Sequence, residues 1–479
     1  MMPAIVLVLL LAGSAQGSKK HPLSWQEIDL PTTMDPLDAV SPVDFRVHAL
    51  IYDQLYYADE SEGFRSDIFK YSTVEPDGRL HAVLGPPVRW HDGQRLRAAD
   101  ICRSIERLKS ATDSPLRNRH PILPTTCEVD EQKKGVFVAF AQHPLPDPRA
   151  VLAIPLMPTH LAEDHDLGSA PIGTGPMKAT FDNHGWLFKA WDGSSRTVSI
   201  PAMRLVVEED RAVQVRNLIK GTSDGVIGVP PKLLPDVREA GLTLRHFDQQ
   251  SWWSLALNTQ KEPLSDPAVR ELLDRSLDRE ALREALITTD PDRDEQQCTL
   301  ISGPFPRNSP RYNRGVPLPG GLPVATLPLG LRIAVPDSLD LPARAVLDAL
   351  MASWRPFDAT GAIVGPDADL NEFDIVVGTW SAADDLSALY HTPTAHRGLA
   401  NVFGFSNKGV DRLFRELDGA VTDVEIHQLS RELHAMLADE RTHLFLWELN
   451  WWSAWRPGIE HQLVSPGDYF SQLDQWTIP

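Results

Sequence analysis

Val88-Arg89-Trp90-His91-Asp92-Gly93-Gln94-Arg95-Leu96-Arg97-Ala98-Ala99-Asp100-Ile101 is the most informative stretch of the chain. It opens on an apolar and aromatic run that stops at Asp-Gly, which is first of all a turn signal, so His91-Asp92-Gly93 reads as a turn and not as acid/base chemistry. Beyond it Ile101, Cys102, Ile105 and Leu108 share one helical face, and the Cys102 side chain is turned inward. A free thiol packs well there, and a bridge to Cys127, at the start of a strand, is the less favoured alternative, open in an oxidising compartment. Cys298 would stay unpaired.

Outward from this block, short alternating or β-branched runs recur between helical patterns. They are Val136 to Phe140, Arg204 to Val207, Leu255 to Leu257, Leu331 to Val335 and Asp374 to Val377, so the chain is of the α/β class. A helix is predicted from Ser265-Asp266-Pro267, a capping side chain followed by proline at the first helical position. Val269, Leu272, Leu273 and Leu277 form its buried stripe, and Asp278 caps a second helix carrying Leu282 and Leu286. Ala343 to Trp354 and Glu425 to Leu437 repeat the same spacing. Seven prolines and five glycines between Gly303 and Gly330 predict an extended surface connection. There is no internal repeat.

At 479 residues the chain is long enough for two or three packed units. Its net charge of −19 repels phosphate backbones and excludes nucleic acid as a natural partner. Ile5 to Ala12 is an unbroken apolar run followed by Gly13-Ser14-Ala15-Gln16-Gly17, which reads as a signal peptide cleaved after Gly17. No cysteine near that point could carry a lipid, so a free periplasmic protein is expected. No later apolar stretch reaches membrane length.

Three constellations carry possible chemistry. Gly221-Thr222-Ser223-Asp224-Gly225 matches the G-x-S-x-G pattern of serine hydrolases, which makes Ser223 a candidate nucleophile. A nucleophile elbow needs strand, turn and helix in that order, whereas here a helical pattern with Val213, Leu218 and Ile219 comes first and an apolar stretch follows. Gly221 as the left-handed residue ending a helix is the better reading. The closest histidine pairs, His160 with His165 and His391 with His396, lack a ligand spacing, so no metal is expected. Thirteen tryptophans include the doublets Trp252-Trp253 and Trp451-Trp452. Adjacent strand residues face opposite sides, so each doublet either fills two cores or sends one ring toward a cleft.

The opening block resembles the dipeptide, oligopeptide and nickel type of bacterial extracytoplasmic solute-binding proteins, family 5 of the substrate-binding proteins of ABC transporters. Four further blocks follow in the family's order. These are Pro171-Ile172-Gly173-Thr174-Gly175-Pro176; Leu255-Ala256-Leu257-Asn258-Thr259 with the capped helix through Leu282; Gly303-Pro304-Phe305-Pro306; and Phe373-Asp374-Ile375 to Trp380 with Asn401 to Asn407 and Asp411. The resemblance implies the two-lobed periplasmic binding protein fold, type II-like, with an extra subdomain in lobe one and a ligand cleft between the lobes. Residues 18–44, 169–256 and 457–479 would form the lobe-one core, 45–168 the extra subdomain and 257–456 lobe two.

It also implies a monomer that captures a short peptide or similar small solute by hinge closure, with no cofactor and no bond made or broken, and delivers it to an ABC permease. An oligosaccharide ligand, or a sensor or chaperone role, is the alternative. The family places an amine-binding aspartate just beyond the strand that ends at Trp380, which here selects Asp384 or Asp385. Trp380 and one ring of Trp252-Trp253 would line the pocket. In two places the chain departs from the family: a helix expected after Pro306 is replaced by the proline-rich connection, and the aspartates stand in a Ser-Ala-Ala-Asp-Asp context.

Overall fold

The computed structural model describes residues 21–59, 63–120, 122–141, 147–162, 165–230, 233–286, 298–318, 327–336, 343–365, 368–381, 403, 405–420, 422–460 and 469–478. The expected signal peptide, Asp384 and Asp385 lie outside them. Among the described residues no helix is long and apolar enough to cross a membrane.

The chain opens with β1 (Leu23–Glu27) and α1 (Pro42–Ile51), the latter started by a reciprocal capping box between Ser41 and Asp44. Next come β2 (Tyr57–Asp59), β3 (Gly63–Arg65), β4 (Phe69–Val74), β5 (Leu80–Leu84), α2 (Ala98–Ser110), α3 (Pro115–Arg119), β6 (Thr126–Asp130) and β7 (Gly135–Ala139). β8 (Met177–Asp182), β9 (Gly185–Ala190), β10 (Ala202–Val207), α4 (Arg211–Ile219), β11 (Gly225–Ile227) and α5 (Leu234–Glu239) follow. The long β12 (Thr243–Leu257) leads to α6 (Pro267–Ser276), α7 (Arg279–Leu286), β13 (Cys298–Leu300), β14 (Arg332–Pro336), α8 (Ala343–Ser353), β15 (Thr360–Val364) and β16 (Ile375–Ser381). The chain returns through α9 (Lys408–Gly419), α10 (Asp423–Glu440) and β17 (His443–Trp455).

Among the described residues eleven strands make one sheet, in the order β15-β14-β16-β12-β17-β11-β1-β10-β9-β8, with β13 also on β17. Its two central strands differ from the rest in length. At roughly 3.3 Å per residue, β12 with 15 residues and β17 with 13 span about 50 and 43 Å, twice an ordinary strand. β12 pairs with β16 only through Ser251 to Leu257, and β17 pairs with β11 only through Ser453 to Trp455. The pair therefore belongs to two half-sheets, one at each end.

Each half-sheet has its own cores. Trp25, Val47, Leu50, Met203, Trp455, Phe470 and their neighbours make the first core, around β1 and α1. Ile101, Ile105, Leu108, Trp90, Val136 and Val138 lead the second, where α2 covers the four-stranded sheet β4-β5-β7-β6. Leu255, Leu273, Ile333, Val346, Trp354 and Val377 lead the third, on one face of the other half-sheet. Ile301, Phe305, Val410, Leu413, Leu433 and Phe445 lead the fourth, under α9 and α10.

Within α1, Val47, Leu50 and Ile51 pack with Trp25 and Met203 in the first core. Ser453 to Trp455 pair with β11 beside β1. One expectation, the wholly exposed connection after Gly303, is corrected by this packing. The Gly303 to Gly330 stretch is irregular where described but is not wholly on the surface, since Phe305 and Tyr312 are buried beside Ile301 and the Tyr312 ring meets the His434 ring edge-on at 4.6 Å. The predicted caps are present, and of the two alternatives for Cys102 the structure has the bridge. Asp266 caps α6 through a 2.8 Å bond from the Ala268 amide, Asp278 accepts from Ala281, and Cys102 is disulfide-bonded to Cys127, tying α2 to β6.

Candidate ligand cleft

The two halves meet at the middle of the β12–β17 pair. β16 finishes at Ser381, opposite Ser251 of β12. From the other half β11 finishes at Ile227, opposite Ser453, and the amides of Gly228 and Val229 both donate to the Trp452 carbonyl at 2.9 and 2.8 Å. Both strands are antiparallel to the partners named, and those partners are antiparallel to each other. The carboxyl ends of β11 and β16 therefore point toward one another from opposite halves. β1 runs parallel to β11 with Gln26 level with Val226, which brings Glu27 to the same height. The space outside the carboxyl ends of strands is where open α/β sheets bind ligands.

The register of the pair breaks at this point. Phe247 faces Trp451 and Ser251 faces Leu449, so Asp248, Gln249 and Gln250 stand opposite Asn450 alone. A β-bulge of this kind bends its strand and re-aims side chains, and such bulges concentrate beside functional sites.

On the β1 side the floor is a buried ion pair. The Arg46 guanidinium donates from Nε to Glu27 Oε1 and from Nη2 to Glu27 Oε2, both at 2.7 Å, and the Trp25 indole donates to Oε1 at 3.2 Å. Arg46 Cζ lies 5.8 Å from the centre of the half-buried Trp451 ring, a cation–π contact. The Tyr469 ring meets Trp451 edge-on at 6.2 Å, and burial pushes its hydroxyl well above the ordinary phenol range. On the opposite half, Glu448 accepts the Arg307 amide at 3.1 Å and is buried.

The residues expected at the site fall into three groups. Trp380 reaches the cleft by backbone position, paired with Trp252 one residue before β16 ends. Trp252 and Trp253 take the alternative of one ring in each of two cores: Trp252, 2% exposed, is in the fourth, and Trp253, 4% exposed, is in the third. Strand alternation sends them to opposite faces, and both faces are covered. Asp384 and Asp385 follow Ser381 within four residues, outside the described residues.

Arg46 and Glu27, which the sequence did not single out, stand beside Trp451 at the height of these strand ends. The second tryptophan doublet was the available signal for Trp451, since Trp452 is buried in the small core of α4 and α5 while Trp451 is not fully covered. Nothing in the sequence joins Glu27 to Arg46.

Ser223 does not have the surroundings of a nucleophile. α4 ends in a Schellman motif, with the Thr222 amide on the Asn217 carbonyl at 2.9 Å, the Gly221 amide on Leu218 at 3.0 Å, and Gly221 left-handed at φ 72°. The order is helix, turn and strand. Ser223 is buried, and its hydroxyl accepts the Gln26 amide at 2.6 Å. His160 bonds Asp92 at 2.7 Å and His165 bonds the Ala170 carbonyl at 2.8 Å, while His391 and His396 lie outside the described residues. No group of three histidine, cysteine or carboxylate side chains able to hold a metal occurs among the described residues.

The chain was compared with known proteins. Residues 64–316, more than half of it, match the family model of bacterial extracellular solute-binding proteins, family 5. A glutathione-binding protein of Pectobacterium atrosepticum, GsiB, is 23% identical over 267 residues, which is 52% of this chain and 51% of that one. The chain thus spans about half the length of the curated relatives it matches. Among solved structures, the ABC transporter substrate-binding protein CtaP of Listeria monocytogenes superposes with a TM-score of 0.79 at 17% identity, covering 96% of this chain and 99% of the other. The oligopeptide-binding protein AppA of Bacillus subtilis, solved with a nonapeptide, gives 0.75 at 17% identity, covering 96% and 99%. The fold is accordingly the two-lobed periplasmic binding-protein fold, and the chain belongs to the family 5 bacterial extracellular solute-binding proteins.

Proposed function

We propose that this protein is the extracytoplasmic receptor of an ABC importer, which captures a short peptide between its lobes and presents the closed form to a permease. The observation that carries this reading is the paired β12 and β17, two strands that each serve both half-sheets and let the carboxyl ends of β11 and β16 face one another. Rotation about such a pair opens and shuts the space between those ends without unpacking either set of cores. The partition that follows is a lobe one of 18–52, 169–247 and 451–479, an extra subdomain from about residue 53 to 168, and a lobe two from 251 to 449.

Capture needs no bond chemistry. A zwitterionic peptide brings an ammonium group that must meet a carboxylate once water is excluded, and Asp384 or Asp385 would meet it just past β16. Trp380 and Trp451 supply ring surface that accepts varied side chains, with Trp252 and Trp253 fixing β12 beneath them. The Cys102–Cys127 bridge and the apolar N-terminal run both suit export to the periplasm.

The test is calorimetry with a panel of di- to pentapeptides, alongside mass spectrometry of what co-purifies and small-angle scattering with and without ligand. Saturable peptide binding with a fall in the radius of gyration is expected. Binding of oligosaccharides alone would replace the peptide reading, and an unchanged scattering curve at saturation would remove hinge closure.

A further inference from the structure

We propose that the unit built on α2 and the four-stranded sheet carries a second ligand site, separate from the cleft, which takes a small apolar carboxylate through the Arg103 guanidinium. The site is a pocket of about 470 Å³ between α2 and the segment from Pro158 to Leu167. None of its lining residues comes from β1, β11, β12, β16 or β17, whose ends and pairing define the cleft. A volume of a few hundred cubic ångströms is that of a small-molecule site. The inference stands apart from the receptor reading above.

Helix periodicity sets one wall. Ile101, Ile105 and Leu108 bury one face of α2 in the second core, which leaves Arg103, Arg107 and Ser110 on the opposite face at i, i+4 and i+7. The two arginines are engaged differently. Arg107 donates from Nη1 to the Pro158 carbonyl at 3.1 Å and from Nη2 to Asp35 Oδ2 at 3.3 Å, so it staples α2 to the facing segment and fixes the width of the pocket. Arg103 makes no hydrogen bond among the described residues. Its ionic neighbour Asp100 presents Oδ1 at 3.6 Å and accepts the Arg97 amide on Oδ2 at 2.8 Å. The planar fork of Arg103 therefore has donors still open.

The facing wall is apolar, made by Pro158, Leu161, Ala162 and Leu167, of which Pro158 and Leu167 are buried. His165 adds an acceptor: its Nε2 donates to the Ala170 carbonyl at 2.8 Å, which leaves Nδ1 of the neutral ring with a lone pair. The Thr159 hydroxyl is buried without a hydrogen-bond partner, polar capacity at this pocket that the chain itself does not use. Glu106, the carboxylate on the α2 wall, is met by the Lys109 ammonium at 3.0 Å. An open guanidinium recognises a carboxylate through two parallel N–H···O bonds. The class implied is a small acid with an apolar body for the Leu161 wall and one donor for His165 Nδ1, and an N-acylated aromatic amino acid is a simple member of it. A free ammonium group is not called for, because Glu106 already has its cation.

The experiment is calorimetry on the full chain with N-acetyl-L-phenylalanine and with its neutral carboxamide, wild type against Arg103→Gln and Arg103→Lys. The Arg103 side chain is 62% exposed, so its replacement should leave the fold intact, and melting curves check this. The expected result is saturable binding of the acid by wild type, at least about tenfold weaker binding of the carboxamide, a loss of about tenfold or more for Arg103→Gln, and partial retention by Arg103→Lys. No binding of the acid by wild type would overturn the proposal. Equal affinity of wild type and Arg103→Gln for the acid would overturn it by placing the ligand elsewhere, and equal affinity for acid and carboxamide would remove the carboxylate recognition on which it rests. The peptide panel should bind wild type and Arg103→Gln alike, so this site and the cleft stand or fail separately.

Discussion

Arg46 and Glu27 form a two-pronged ion pair at 2.7 Å on each arm, 4% and 0% exposed, at the end of the first strand. Each charge is tolerable in the interior only because the other is there. Arg46→Met should therefore destabilise the protein by about 3 to 5 kcal/mol, since it leaves Glu27 buried and unpaired. The double change Arg46→Met with Glu27→Leu should recover much of that loss. Chemical denaturation of the three forms checks this, and an additive double mutant would contradict it.

His91 ties two sequence blocks together. Its Nδ1 accepts the Gly173 amide at 3.3 Å and its Nε2 donates to the Gly175 carbonyl at 3.1 Å, and burial pushes its pKa down to about 4. His48 is pushed down to about 4 in the same way, and His443 to about 3. Above the ordinary histidine value near 6.5 both folded and unfolded states are neutral, and pH has no leverage through these rings. Below it the unfolded chain takes up protons that the folded chain refuses, so stability must fall between about pH 6.5 and pH 4. Each ring contributes up to roughly 3 kcal/mol to that fall. Melting temperature against pH should show the decline, and His91→Gln should flatten it.

The Cys102–Cys127 bridge closes a loop of 25 residues within the extra subdomain. On the chain-entropy account, its removal should cost roughly 3 kcal/mol. Cys102→Ser with Cys127→Ser should lower the unfolding free energy by that amount and move the denaturation midpoint down with it. Reductant should have no effect on the double variant, and a wild-type midpoint indifferent to reductant would refute the expectation.

Gly173 sits where no side chain fits. A Cβ built there would lie 2.0 Å from the Ile51 carbonyl oxygen at the end of α1, a backbone atom that cannot step aside. Gly173→Ala should cost at least about 1 to 3 kcal/mol through displacement of α1, read as a lower melting temperature. Gly93→Ala is a useful contrast. There the space is open but φ is 92°, so the cost is backbone strain alone, about 1 kcal/mol.

Much of the local order was legible in the residues. Asp266 capping α6, Gly221 ending α4 and the Asp92-Gly93 turn all depend on neighbours within a few positions, and short-range chemistry reads directly from spacing. The five ordered blocks carried the two-lobed fold for a related reason. Each is a local device such as a turn, cap or tight glycine approach, and His91 clasping Gly173 and Gly175 shows two of them meeting as one joint. The cleft depended on contacts between residues far apart in the chain. Whether Trp252 and Trp253 face a pocket or two cores follows from what covers each face of β12, and α9, α10 and β14 arrive there from more than seventy residues away. The register shift between β12 and β17 is equally invisible along either strand. Register belongs to a pair of strands, and only folding brings the second strand alongside the first.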